Sequence, residues 1–187
     1  MVSLSALWIP ILVSAVLVFV VSSVLHMMLT YHRTDYHTFS NEDEVRTAIR
    51  SGSPMPGQYL LLSAMGPNAL KDPSIIEKFK QGPSGLVFLR KPGIPTMGPL
   101  LIQWFIYLLV VSFFAAYLAS TVLAPGTPYL KVFQVVGTAT FVAYAAARAQ
   151  SGIWQGEPWP VVVKEMIDGL IYALVTAGVF GWLWPKA

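Results

Sequence analysis

The chain has 187 residues, of which 55% are hydrophobic and 11% are charged, whereas soluble domains carry about a quarter of charged residues. A soluble fold of this length cannot hide so much apolar side chain, so the composition predicts a membrane protein. The lack of cysteine excludes disulfides and thiolate chemistry, and the net charge of +3 comes without the basic, aromatic-interleaved stripe of a nucleic-acid-binding surface.

The first apolar segment covers residues 6–29 and contains no Asp, Glu, Lys or Arg. It is long enough to cross a membrane, which takes about 20 apolar residues. A cleaved signal peptide is the alternative, but the segment lacks a basic start and is longer than the usual apolar run of about 7 to 15 residues. We therefore expect residues 1–30 to form a retained transmembrane helix.

Four residues near the end of this helix have side chains that bind metals: His26, His32, Asp35 and His37. Imidazole and carboxylate groups are ligands for zinc, copper, nickel and iron. The spacing matches no recognised ligand pattern, and His26 and His32 lie about 600° apart on an ideal helix, so they would meet only if the chain bent back. The sequence favours interfacial polar residues and leaves metal binding as the alternative.

Residues 31–98 carry most of the charged side chains and form a polar insert. Within the insert, the run NEDEVRTAIR predicts a helix capped by Ser40 or Asn41, because acidic residues fill its first turn. Arg50 lies in its last turn, where a cation suits the helix dipole.

A second short helix is predicted to begin at Asp72 and Pro73 and to end near Gly82. Two short apolar runs, GQYLLLS (57–63) and GLVFLR (85–90), are strand candidates. The insert is therefore expected to be a small α/β domain lying close to the membrane.

Residues 99–187 contain three further apolar segments, at residues 99–123, 130–150 and 162–184. Short connections rich in Pro and Gly separate them, so neighbouring helices should be antiparallel. Trp residues flank the last segment, as in interfacial belts. The chain is thus predicted to be an all-α membrane protein, a four-transmembrane-helix bundle with a small polar α/β insert between helices 1 and 2.

Small residues recur at every fourth position of the last segment: Gly169, Ala173, Ala177 and Gly181. Residues with this spacing share one face of a helix, and small side chains let helix backbones approach closely in lipid. We expect this face to pack against another helix of the bundle.

One acidic residue, Asp168, lies about one turn into the same segment. Acids at membrane depth are costly and often functional, so they need a partner. Lys164 stands four residues earlier, and Arg148 lies near the end of the preceding segment. The sequence predicts an ion pair of Asp168 with one of them, and a proton or ion relay is the alternative.

Lysine and arginine near the helix ends indicate orientation by the positive-inside rule. The excess lies on the side of the insert, which places the insert in the cytoplasm and both termini outside. The residues counted are Arg33, Arg90, Lys91, Arg148 and Lys164 on that side, and Lys131 and Lys186 on the other.

No nucleotide-binding, zinc-protease or serine-hydrolase motif occurs, so no catalytic residue and no cofactor is predicted. The favoured hypothesis is a non-enzymatic accessory or assembly subunit of a membrane complex, in contact with lipid and with either further copies or other subunits. The alternatives are a small oligomeric transporter or channel that uses Asp168, and a metal or quinone redox protein that uses His26, His32 and His37.

The order of five segments resembles an uncharacterised family of small bacterial four-helix membrane proteins: NEDEVRTAIR, PGQY, GPSG, PGTPYLKVFQVVGTATFVAY and DGLIYALVTAGVFGWLWP. The resemblance implies the bacterial inner membrane and supplies no activity. In such relatives PGQY precedes a Pro with His or Cys nearby, whereas LLLSAMGP stands here, so any metal ligands of that segment are missing.

Overall fold

The structure is a computed structural model that describes residues 1–64 and 66–186. It divides into a first unit of Met1–Tyr36, Thr96–Gly152 and Glu157–Ala187, and a second unit of His37–Pro95 and Ile153–Gly156. The regular elements are, in chain order, α1 Trp8–Ser23, α2 Glu42–Ser51, β1 Gly57–Leu60, α3 Pro73–Gln81, β2 Leu86–Leu89, α4 Met97–Val122, α5 Tyr129–Tyr144, α6 Ala149–Trp154 and α7 Trp159–Trp182.

Three helical segments of the described chain are long and apolar enough to cross a membrane: Leu4–Met28, Met97–Val122 and Tyr129–Trp154. The prediction of a mostly helical, membrane-type protein with a small sheet is therefore confirmed. The fourth predicted span corresponds to α7, which is 24 residues long but is not among these three. Four spans thus stay a prediction.

Two buried apolar clusters hold the helices of the first unit together. One gathers Leu7, Val132 and Phe180, and the other includes Val18 and Leu108. Each cluster contains side chains from several helices. Their burial therefore stabilises the packing of the whole bundle and not only of single helix pairs.

Hydrogen bonds between side chains add to the contact of α1 with α4. The hydroxyl of Ser14 donates to Ser112 Oγ at 3.0 Å, and Trp104 Nε1 donates to Ser22 Oγ at 2.9 Å. Such bonds between helices stabilise bundles in lipid, where a polar group finds no water.

The small-residue face of α7 lies against α5. A Cβ atom at Gly169 would lie 2.5 Å from the carbonyl oxygen of Tyr144, and one at Gly181 would lie 2.7 Å from the ring of Tyr129. Only glycine therefore allows this approach at the two ends of the contact. The four predicted residues of the face, Gly169, Ala173, Ala177 and Gly181, are all part of α7.

The second unit has the elements expected of the insert. β1 and β2 pair antiparallel, with Gly57 opposite Leu89 and Leu60 opposite Leu86. Asp72 caps α3 by accepting a hydrogen bond from the backbone N–H of Ser74 at 2.8 Å. The sheet is shorter than the apolar runs that predicted it.

Candidate functional site

The chain bends back after Met28, five residues beyond the end of α1. A π-helical turn, Val24–Met28, extends the helix, and a 3₁₀ turn, Tyr31–Thr34, follows it. This bend stacks the His26 ring on the His32 ring, with centroids 4.6 Å apart and planes at 17°. The two histidines that an ideal helix would separate are therefore neighbours.

Asp168 projects from α7 towards these histidines, and its side chain is 3% exposed. Its Oδ2 lies 2.7 Å from His32 Nε2 and 3.7 Å from His26 Nε2. Its Oδ1 accepts a hydrogen bond from the Tyr31 hydroxyl. The buried carboxylate is therefore paired with the segment that follows α1.

Asp35 holds the opposite side of the His32 ring. Its Oδ2 lies 2.6 Å from His32 Nδ1, and its Oδ1 accepts from Lys164 Nζ at 2.5 Å. Lys164 also donates to the Tyr31 carbonyl at 2.7 Å and to Thr34 Oγ1 at 2.9 Å. We call Tyr31, His32, Asp35, Lys164 and Asp168 the polar network.

The charges of the polar network shift the protonation of its members. Burial alone would lower the pKa of His32, but its hydrogen bonds to Asp35 and Asp168 outweigh burial and raise it. Hydrogen bonds from Lys164 and His32 hold the pKa of Asp35 below its usual range. Burial, reinforced by Asp168, raises the pKa of Tyr31. The arrangement favours an imidazolium between two carboxylates.

The predicted partners of Asp168 are engaged elsewhere. Arg148 Nη2 contacts Glu157 at 3.0 Å, and Arg148 Nε contacts Glu165. Lys164 pairs with Asp35 rather than with Asp168. The structure therefore forms neither of the two predicted ion pairs. Arg148 pairs instead with Glu157, which follows α6, and Lys164 pairs with Asp35, which follows α1.

A cavity of about 680 Å³ adjoins the polar network, between α1, α4, α5 and α7. Aromatic rings form much of its wall, and Trp104 stacks on Tyr107 at 5.4 Å. The remaining lining side chains are Ser22, Ser23, His26, Met27, Met97, Leu101, Ala143, Tyr144, Ala147, Arg148, Glu165, Asp168 and Tyr172.

The cavity has both polar and apolar lining residues and is partly open. Met27, Met97 and Leu101 are 78%, 62% and 40% exposed and stand on candidate membrane spans. A molecule entering past them would pass apolar side chains. Inside, it would meet the side chains of His26 and Asp168.

Three side chains of the described chain are placed to hold a metal ion. The donor atoms of His26, His32 and Asp168 lie within 4.8 Å of one another. Asp35 bonds to the other nitrogen of His32, and His37 belongs to the second unit. Two of the four predicted candidates thus join Asp168, a grouping that sequence spacing does not reveal.

Comparison with protein-family models, curated proteins and solved structures gives no match to this chain. The resemblance to small bacterial membrane proteins stays a prediction.

Proposed function

We propose that the chain is a four-span integral membrane protein that binds an amphipathic molecule, taken from the lipid, in the cavity between its helices. The cavity carries this proposal. Its volume of about 680 Å³ falls within the range of about 300–1,000 Å³ that is common for small-molecule sites.

The fourth span is α7. At about 1.5 Å per residue its 24 residues reach roughly 36 Å, enough for a hydrocarbon core of about 30 Å. Its buried acid, Asp168, is hydrogen-bonded to Tyr31 and His32, which offsets the cost of placing a carboxylate within a span.

Topology tests the span count directly, because a chain without cysteine accepts single reporter cysteines. Ser3→Cys, Ser51→Cys and Lys186→Cys place them near each terminus and in α2. With four spans and the insert in the cytoplasm, an impermeant maleimide labels the two terminal cysteines in spheroplasts and Ser51→Cys only in inside-out vesicles. Labelling of the two terminal positions from opposite sides would contradict four spans.

The lining favours a ligand with a flat polar head and an apolar tail. Four aromatic residues, Trp104, Tyr107, Tyr144 and Tyr172, line the cavity, and Ser23 adds a hydroxyl group to the lining. The exposed Met27 and Met97 leave an apolar path for a tail at the lipid surface. Lipid-soluble quinones have this chemistry, which accords with the quinone alternative inferred from the sequence.

A short-chain quinone titrated into the nanodisc-embedded protein tests the proposal. Ala147→Trp fills the cavity from an exposed lining position, and Ala6→Trp places the same ring outside it. We expect saturable quinone binding that Ala147→Trp weakens at least about tenfold and Ala6→Trp leaves unchanged. Equal binding by the wild type and by Ala147→Trp would reject the cavity as the site.

The role as an accessory or assembly subunit of the bacterial inner membrane remains a part of this proposal. A protein that binds a ligand but carries no recognised catalytic motif suits the role of a subunit that holds or delivers a lipid-soluble molecule. Transport through Asp168 is less favoured, because its carboxylate is already paired with Tyr31 and His32.

A further inference from the structure

The two histidines beside Asp168 have their outer ring nitrogens engaged by oxygen acceptors. His26 Nδ1 lies 3.1 Å from the carbonyl oxygen of Ser22, and His32 Nδ1 lies 2.6 Å from Asp35 Oδ2. An acceptor at Nδ1 keeps a proton there and orients the ring, so a metal ion would bind at Nε2 and displace the proton that His32 donates to Asp168. Protein metal sites orient their histidine ligands in this way.

The inner nitrogens converge on one carboxylate. His32 Nε2 and His26 Nε2 lie 2.7 Å and 3.7 Å from the same Asp168 oxygen, Oδ2. The other oxygen, Oδ1, is held by Tyr31, so the carboxylate is oriented as well. Each of the three groups therefore has a partner that fixes its direction.

Two adjustments would complete the site. Tetrahedral ligands at about 2.0–2.2 Å from one ion lie roughly 3.4 Å apart, so Asp168 Oδ2 and His32 Nε2 would separate from their present 2.7 Å as the ion replaces the proton between them. The His26 ring, which is stacked on the His32 ring, would tilt so that its Nε2 points at the ion. The His26 side chain is 51% exposed, so it has room to tilt.

We propose that His26, His32 and Asp168 bind one divalent transition-metal ion, with Asp35 and the Ser22 carbonyl orienting the two imidazoles. Two imidazoles and one carboxylate suit zinc and ferrous iron, and three protein ligands leave a coordination position open. Since His26 and Asp168 line the cavity, the open position would face it.

A metal site also accounts for groups that an ordinary ion pair would not need. Pairing of Asp168 with His32 alone needs neither His26 nor a carbonyl on its Nδ1. A metal site uses all of them, and it predicts that the exposed His26 contributes as much to metal binding as its buried neighbours.

Metal titration of the intact protein tests the proposal without any amphipathic ligand, so its outcome is independent of the cavity hypothesis. The protein is purified in mild detergent, stripped with EDTA and titrated with Zn²⁺ by calorimetry, and Co²⁺ absorption gives the coordination. We expect one equivalent of Zn²⁺ and visible Co²⁺ bands typical of nitrogen and oxygen ligands.

His26→Ala is the informative variant, because an exposed ring can be removed without disturbing the fold. His37→Ala removes an exposed histidine that is not one of the three ligands and serves as the control. We expect His26→Ala to weaken Zn²⁺ binding at least about tenfold at an unchanged melting temperature, and His37→Ala to bind like the wild type. No stoichiometric Zn²⁺ binding by the wild type, or equal binding by both variants, would overturn the proposal.

Discussion

His32 is the centre of the polar network. It lies between Asp35 and Asp168, whose side chains are 4% and 3% exposed, and Lys164 balances the charge of Asp35. Removing one member of a buried ionic group leaves another uncompensated, which is strongly destabilising. The network therefore fastens the segment after α1 to α7, whether or not it also binds metal.

The raised pKa of His32 makes the stability of the metal-free protein depend on pH. The folded pKa lies above the ordinary value of 6.5, so the contribution is complete below about pH 6.5 and is lost as the pH rises through the folded pKa. In the presence of EDTA, we expect the melting temperatures of the wild type and of His37→Gln to fall as the pH increases through the folded pKa of His32. His32→Gln should lack this component, and an identical pH profile in His32→Gln would contradict the assignment.

Asp35 is a positioning residue for His32. Replacing the carboxylate that fixes a ligating histidine lowers metal affinity by roughly 10–100-fold. We expect Asp35→Asn to weaken Zn²⁺ binding by that factor while the stoichiometry stays at one ion. Asp43→Asn, at a 92% exposed side chain in α2, is the matched control and should bind Zn²⁺ as the wild type does.

The helix α7 carries both the packing face and the buried acid. The small-residue face of α7 packs against α5. Asp168 is one residue before Gly169 and points towards the turn after α1. The close approach at Gly169 therefore sets the position of the neighbouring carboxylate.

Substitution at Gly169 tests this coupling. A methyl group there would meet the Tyr144 backbone, which has no flexible end to move aside. We expect Gly169→Ala to lower the free energy of unfolding by about 1–3 kcal/mol, measured by denaturation in detergent. Gly178→Ala is the control, because its nearest neighbour is the Tyr129 hydroxyl at 3.7 Å. Equal stability of the two variants would argue against a tight contact.

Local patterns in the sequence predicted the elements better than they predicted the site. The spacing of small residues indicated the packing face of α7, and Asp72 before Pro73 indicated the start of α3, because both signals lie within one helix. The partners of Asp168 and Arg148 depend on how distant segments meet. The decisive step, the bend after Met28, has no signal in the apolar pattern, so Tyr31 and Glu157 were not recognised.

The two units differ in how they are held together. The helices of the first unit share buried apolar clusters, whereas α2 and α3 of the second unit contain no buried residue. The sheet and the helix ends, including the Asp72 cap, support the second unit instead. Elements of this kind open locally more easily than buried helices do.

The assembly of the whole protein is open to direct measurement. We expect membranes to retain the chain through a carbonate wash, and native mass spectrometry after mild-detergent extraction to show a stoichiometric partner or a defined oligomer. These results would support the accessory-subunit role. Repeated recovery of a lone monomer would contradict it.

The π turn at Val24–Met28 marks a place where the helix could lose a residue and keep the polar network. A π turn holds about one residue more than an α-helical turn, so four α-helical residues turn through nearly the same angle as its five. Deleting one residue of this turn other than His26 would therefore leave Tyr31 and His32 against α7. A deletion earlier in α1, where the winding is regular, would instead rotate the chain beyond it by roughly 100° about the helix axis and carry both residues away from α7.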